Sequence, residues 1–317
     1  MEQPFIFKYR PKELSDFEMS PTIIQLIQTL IDAEILNILF VGNSGTGKSS
    51  LINCIITTYY NNNYDPNDVL IINSLKDQGI AYYRSDVKVF CQTMPSKPNK
   101  KKILVLDDFD NINEYSQQVF INYIDKYSKN VFFLTSCSNT QKIIDSYQSR
   151  VFIIKIKPLE PLYLNNIIDN ICNTENIKIE DKAKHYILSL SNNSIRTLIS
   201  YLEKFKLLNC YITYNIVINT STNISFDDFY KYINYCINND LIKAIEILYN
   251  IYDRGYSVID ILDNLYIFVK MNDILKEEQK YIIIKCICQY IIIFYNIHEN
   301  EIELAFLTNT LISVFKE

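Results

Sequence analysis

The chain is 317 residues long, enough for about two or three compact units with a sizeable buried core. Apolar residues make up 48% and charged residues 21%, ordinary globular usage, and the formal charge of −5 excludes a protein that coats nucleic acid through its overall field, leaving a local basic strip as the only route to such contact. The eight cysteines are scattered without a CxxC pair and only His185 and His298 could join them, so no zinc site is expected and the cysteines read as buried free thiols of an intracellular, reducing compartment.

The first fourteen residues, MEQPFIFKYRPKEL, carry charge where a secretory signal needs an unbroken apolar stretch. Helical apolar spacing then marks residues 22–31, and residues 35–41 read as a buried strand ending at Gly42. A helix should run from the following lysine turn through Thr57. Residues 61–68 are an Asn- and Asp-rich loop, 69–72 a strand and 80–93 a single helix. After the loop MPSKPNKKK, residues 103–106 read as a strand ending in carboxylates, 115–126 as a helix and 131–135 as a strand.

This alternation predicts an α/β fold, a parallel sheet with helices on both faces, over residues 1–160. From Pro161 the strand signal fades, and 162–172, 181–190 and 195–208 read as helices of a small second unit over 161–213. The Asn-, Thr- and Ser-rich residues 214–225 read as a linker, and 226–317 as an all-α unit. Within that unit the most membrane-like run, 281–297, carries Lys285 and Gln289 and falls short of the ~20 apolar positions of a spanning helix. A buried helix at a subunit or domain contact is the expectation there.

Residues 42–49, GNSGTGKS, match GxxxxGK[ST] between a predicted strand and a predicted helix, the context this phosphate-binding loop requires. Three of the chain's five glycines, Gly42, Gly45 and Gly47, fall here. Backbone amides and a helix N-terminus would cradle phosphates, Lys48 would neutralise the β and γ groups, and the Ser49 hydroxyl would serve Mg²⁺. The segment ILVLDDFD places Asp107 as a metal-side carboxylate and Asp108 as the group that polarises an attacking water; the alternative is an acidic turn that merely ends the strand. These motifs alone admit a small-molecule kinase, a GTPase or one of many ATPases.

Longer blocks narrow the choice. KYRP at residues 8–11, ILFVGNSGTGKSS at 38–50, IINSLKDQGIAYYRSDVKVF at 71–90, SCSNTQKIIDSYQSR at 136–150 and NSIRTLISYLEK at 193–204 resemble, almost end to end, the small subunits of replication factor C. These are AAA+ clamp loaders of eukaryotes, archaea and large DNA viruses. The resemblance implies an AAA+ domain, a helical lid and a helical collar, the last echoed in YDRGYSVIDIL and EIELAFLTNTL.

It further implies that Tyr9, Arg10 and Pro11 embrace the adenine side of ATP, and that Gly42, Asn43, Ser44, Gly45, Thr46, Gly47, Lys48, Ser49 and Ser50 hold its phosphates, with Mg²⁺ on Ser49 and Asp107. Asn139 would be the first sensor of the γ-phosphate and Arg196, on the lid, the second. Arg150 would be an arginine finger given in trans to a neighbouring subunit, a contribution worth ~10³ to 10⁵ in rate. Arg84 and Lys88, four apart on one helical face, together with Lys142, would follow the phosphates of DNA. Without the resemblance, Arg84, Lys88, Arg150 and Arg196 read as surface side chains.

The chain departs from the family pattern where Asp108 replaces Glu, Gln78 replaces Arg, and Phe120, Ile121 and Asn122 replace a Leu-Arg-Arg run. The implied partners are other clamp-loader subunits, as a pentamer, a sliding clamp and primer-template DNA, with no membrane, at a nuclear or cytoplasmic replication site. The alternatives are a scaffold subunit that binds ATP but hydrolyses it weakly, and another AAA+ DNA-processing ATPase with a winged-helix C-terminus.

Overall fold

The apolar runs of the N-terminal region become five strands: β1 (Ile38–Val41), β2 (Val69–Asn73), β3 (Lys102–Asp107), β4 (Val131–Cys137) and β5 (Phe152–Lys155). All pair in parallel in the order β2-β3-β4-β1-β5. The computed structural model describes residues 3–17, 19–73, 79–191, 193–220, 224, 226–271, 275–294 and 298–316. Two units divide the chain, Met1–Tyr214 and Asn215–Glu317.

Side chains of a strand alternate between its faces, and each face of the central strands here builds its own core. Ile38, Phe40, Ile103, Val105, Phe132 and Leu134 pack under α2 (Pro21–Asp32) and α3 (Lys48–Tyr59). Leu39, Leu104, Leu106, Val131 and Phe133 pack under α4 (Ile80–Arg84), α5 (Asp86–Gln92) and α6 (Glu114–Tyr127). A short helix α1 (Phe5–Lys8) precedes them, and α7 (Asp145–Gln148) follows β4.

Within the sheet region three features differ from the sequence reading. Strand β1 starts at Ile38 rather than 35, because Asn37 turns its side chain to the neighbouring strand, its Oδ1 accepting from the Phe133 amide at 3.0 Å. The helix expected over 80–93 is two helices bent at Ser85, where φ is −98° and ψ −76°. The Ser85 hydroxyl donates to the Ala81 carbonyl at 2.9 Å, a back-bond that bends helices. Strand β5, within the apolar run at residues 151–154, is an edge strand that the sequence reading did not assign, and Phe152 and Ile153 on it are exposed.

The lid helices are α8 (Pro161–Glu175), α9 (Asp181–Leu190) and α10 (Ile195–Leu208). Two of them stop where the sequence supplies Asn in the left-handed region, Asn176 at φ 55° and Asn209 at φ 48°. The stretch read as a linker contains a helix, α11 (Tyr214–Thr220), because Ile216 and Val217 supply apolar positions and Val217 is buried. The C-terminal unit holds α12 (Phe226–Ile237), α13 (Leu241–Tyr252), α14 (Val258–Met271), α15 (Glu277–Phe294) and α16 (Ile302–Lys316) around a core including Phe229, Leu248, Leu265 and Leu307. Among the described residues, no helix is long and apolar enough to cross a membrane.

Candidate nucleotide-binding site

Strand order locates the site. The chain leaves β1 and travels to β2 at one edge, then returns through β3 and β4, so the carboxyl ends of β1, β4 and β3 lie side by side at a reversal of winding, where open α/β sheets bind ligands. Residues 42–47 follow β1 there, Asp107 ends β3, and Cys137 ends β4.

The loop demands glycine at specific points. Gly45 has φ +77°, and a Cβ on it would stand 2.2 Å from Ser194 Oγ at the head of α10. Gly47, at φ +93°, is the left-handed N-cap from which α3 starts. Thr46 Oγ1 donates to the Asn43 carbonyl at 2.9 Å and closes the turn, leaving Asn43 and Ser44 at its tip.

Lys48 is only 6% exposed, and its Nζ donates to the carbonyls of Gly42 at 2.7 Å and Asn43 at 2.9 Å. Burial pushes its pKa down, opposed by the charges of Asp108 and Asp107. Among the described residues Lys48 has no ion-pair partner. A buried cation held by neutral carbonyls is a site for an anion, and the adjoining α3 N-terminus favours the same charge.

Beside it lies a small oxygen network. Ser49 Oγ donates to Asp107 at 2.9 Å (Oδ2) and 3.1 Å (Oδ1). A hydroxyl and a carboxylate converging in this way suit Mg²⁺, which takes one or two protein oxygens and completes its shell with phosphate and water. No cluster of three His, Cys, Asp or Glu ligands occurs among the described residues, so the protein oxygens alone form no closed metal cage. Asp108 occupies the left-handed region, φ 53° and ψ 49°, and its carboxyl pKa is raised by burial and by Asp107, with Lys48 and Arg196 pulling the other way.

A cavity of about 510 Å³ opens in front of the loop. Tyr9, Arg10 and Pro11 line it on one side, Gly45, Thr46, Gly47, Ser49, Ser50 and Asp107 form its floor, and Ile171, Arg196 and Ile199 come from the lid. Arg10 Nη2 donates to the Ser49 carbonyl at 2.8 Å. Tyr9 Oη and Lys8 Nζ both donate to Glu175 Oε1 at 2.5 Å, and Lys206 Nζ lies 3.5 Å from Oε2. The N-terminal segment thereby ties α3 to the lid. On the other side the Ile195 amide donates to the Gly45 carbonyl at 3.1 Å, so α10 begins directly on the phosphate loop.

The remaining sequence-derived residues lie elsewhere. Asn139 does not line the cavity: it caps a 3₁₀ turn, its Oδ1 accepting from the Gln141 amide at 2.9 Å, and its own amide donates to Asp110 Oδ2 at 3.1 Å. Strand β4 ends at Cys137, two residues before Asn139, so the side chain is placed by the turn it caps and not by the strand that carries Ser136. Arg150 stands away from the cavity, exposed, with Nε on Asp125 Oδ1 at 2.8 Å and Nη1 on the Ser146 carbonyl at 2.7 Å. Lys142 is in the last position of that 3₁₀ turn, before α7. Arg84 and Lys88 are both exposed, but the bend at Ser85 separates them, so the single helical face expected for them is corrected to two short helices. Ser74, Asp77 and Gln78 lie outside the described residues. Phe120 and Ile121, at positions where the family carries Leu and Arg, are buried in the core beneath α6.

Sequence reasoning missed Ser136, Ser194, Glu175 and Asp110. A signal existed for the first: Thr135 and Ser136 are polar residues in an otherwise apolar central strand, and both are wholly buried.

Fold and site together define a nucleotide-binding phosphate-loop domain, and the model of the ATPase family associated with various cellular activities matches residues 38–159. The model of the replication factor C C-terminal domain matches residues 225–291. Among curated relatives, a putative replication factor C small subunit of Acanthamoeba polyphaga mimivirus is 29% identical, over 85% of this chain and 84% of its own length. Replication factor C subunit 4 of Arabidopsis thaliana is 27% identical over 90% and 88%, and the replication factor C small subunit of Methanococcus maripaludis 28% over 89% and 90%. Over most of its length the chain is thus similar to replication factor C small subunits. Among solved structures, the Thermotoga maritima RuvB Holliday junction branch migration motor shares the fold, with a TM-score of 0.53, 16% identity, and coverage of 67% of this chain and 72% of that one.

Proposed function

We propose that this chain is an ATP-binding subunit of a clamp loader that uses ATP binding and hydrolysis to open a sliding clamp and place it on primer-template DNA. The observation that carries the reading is the joint presence of a phosphate loop with its buried Lys48, a lid seated on that loop through Gly45 and Ile195, and a C-terminal match to replication factor C over residues 225–291. The last favours a loader over a branch-migration motor of the same fold.

In this reading the loop amides and Lys48 bind the phosphates, Tyr9, Arg10 and Pro11 close the adenine side, and Ser49 and Asp107 hold Mg²⁺. When bound there, the ion would supply positive charge against the negative charge that develops on phosphoryl transfer. Asp108 orients the attacking water, and its carboxyl reaches about a methylene less far than the family's glutamate, which makes hydrolysis slower. Arg196 senses the γ-phosphate from the lid, so that ATP acts as a conformational switch. Arg150, already on the surface, serves a neighbouring subunit's nucleotide, and the chain is an effective ATPase only in its oligomer, a pentamer by family likeness. Arg84, Lys88 and Lys142 are the cations offered to DNA phosphates.

The test is ATP turnover by the chain co-expressed with its partner subunits, with and without clamp and primed DNA. Lys48→Ala should abolish nucleotide binding at this site, and Arg150→Ala should cut turnover by ~10³-fold while this chain still binds ATP. Turnover that both variants leave unchanged, with ATP still bound by wild type, would make the chain a scaffold.

A further inference from the structure

Ser136 touches both of the aspartates at the end of β3. It lies on β4, wholly buried. Its Oγ donates to Asp107 Oδ1 at 2.5 Å, and the same oxygen accepts from the Asp108 amide at 3.0 Å. A hydroxyl has one proton and two lone pairs, so donating to one aspartate and accepting from the backbone of the next uses its capacity in a single direction. With the proton committed to Asp107, the oxygen is free to receive the amide, and each bond polarises the other.

Both contacts fix something that the chemistry needs. Asp107 accepts on Oδ1 from both Ser136 and Ser49, which leaves its carboxylate one orientation toward the Ser49 hydroxyl. Asp108 is a non-glycine residue at φ 53° and ψ 49°, a conformation that aspartate tolerates better than most side chains and that nearby bonds hold in place here. The hydrogen bond from the Asp108 amide to Ser136, with that from the Asn111 amide to the Asp108 carbonyl at 3.0 Å, restrains this backbone, and the direction in which the Asp108 carboxyl leaves it follows.

We propose that Ser136 is a positioning residue for the ATPase reaction: its hydroxyl sets the orientation of the metal-side carboxylate Asp107 and locks the left-handed backbone from which Asp108 presents its carboxyl. The inference rests on the proposed ATPase function. Ser136 touches neither nucleotide nor metal in this role, and its effect passes through the two aspartates. The short side chain of Asp108 makes the lock consequential, because a carboxyl with fewer torsions depends more directly on its own backbone for aim.

The experiment uses Ser136→Ala, which removes the hydroxyl, and Ser136→Thr, which keeps it on a side chain suited to a strand. The first readout is equilibrium binding of ATP to the full-length chain in EDTA and across a Mg²⁺ titration. The alanine variant should bind ATP in EDTA as wild type does, yet need roughly tenfold more Mg²⁺ to reach its metal-dependent affinity. The second readout is turnover in the assembled complex at saturating Mg²⁺: kcat should fall by about tenfold to a hundredfold with KM for ATP unchanged, and threonine should restore most of both. An alanine variant with wild-type Mg²⁺ dependence and wild-type kcat would overturn the proposal, as would a loss that affects ATP binding in EDTA and the melting temperature alike, since that marks a merely structural hydroxyl. Wild type that binds Mg²⁺ and ATP without turning it over contradicts the ATPase reading, and the Mg²⁺ titration still decides the role of Ser136.

Discussion

Two consecutive aspartates at the end of β3 live in different surroundings, and the difference fits the separate roles proposed for them. Asp107 accepts hydroxyl donors from Ser49 and Ser136. Asp108 sits in the left-handed region with its carboxyl pKa raised, first by burial and then by the charge of Asp107. A carboxyl whose folded pKa lies above its unfolded one adds stability below the unfolded value and loses it as pH rises through the folded value, so at neutral pH the ionised form is a cost. Asp108→Asn removes that charge and keeps a residue tolerant of the left-handed conformation; thermal denaturation at neutral pH should show a higher Tm than wild type, while turnover is lost and ATP binding retained. In wild type the acid limb of the turnover profile should lie above the ordinary aspartate range. The pair itself was legible in the sequence as a strand ending in carboxylates. The role of Ser136 was not, because a contact between β4 and β3 depends on strand order and register, which no local pattern encodes.

At the scale of elements, the site is a junction of the phosphate loop, the N-terminal segment and the lid. Gly45 is where loop and lid meet. Its Cβ would collide with Ser194 and its φ of +77° disfavours any side chain, so Gly45→Ala should cost roughly 1–3 kcal/mol in denaturant unfolding and weaken ATP binding. Glu175 is where the N-terminal segment meets the lid, and its pKa is lowered by Lys8 first and Tyr9 next. That sign means its stabilisation is present above the ordinary glutamate range and lost as pH falls through the lower folded value. Glu175→Gln should therefore flatten the acid-side loss of stability and raise the Kd for ATP several-fold, measured by fluorescence titration. The lid helices were readable because their apolar spacing is strong and their caps are local. The bend at Ser85 was not, because it arises from a side chain bonding its own backbone, whereas the edge strand β5 lay within a readable apolar run.

At the scale of the molecule, Arg150 joins one chain to the next in the proposed assembly. Its guanidinium rests on Asp125 and the Ser146 carbonyl, on the surface and outside the cavity of its own chain. Arg150 is thus placed where the proposed assembly needs it, away from the nucleotide cavity of its own chain. The helical character of residues 226–317 was legible in periodicity, whereas α11 within the supposed linker was not, since a few apolar positions among polar ones carried the helix. The most direct measurement of the central claim is retention of the sliding clamp on circular primed DNA by the complex containing this chain, with ATP present. Clamp retained by wild type, and lost when this chain alone carries Lys48→Ala, is the predicted result; retention that is equal for both, or absent with wild type in a complex that binds DNA and clamp, contradicts it.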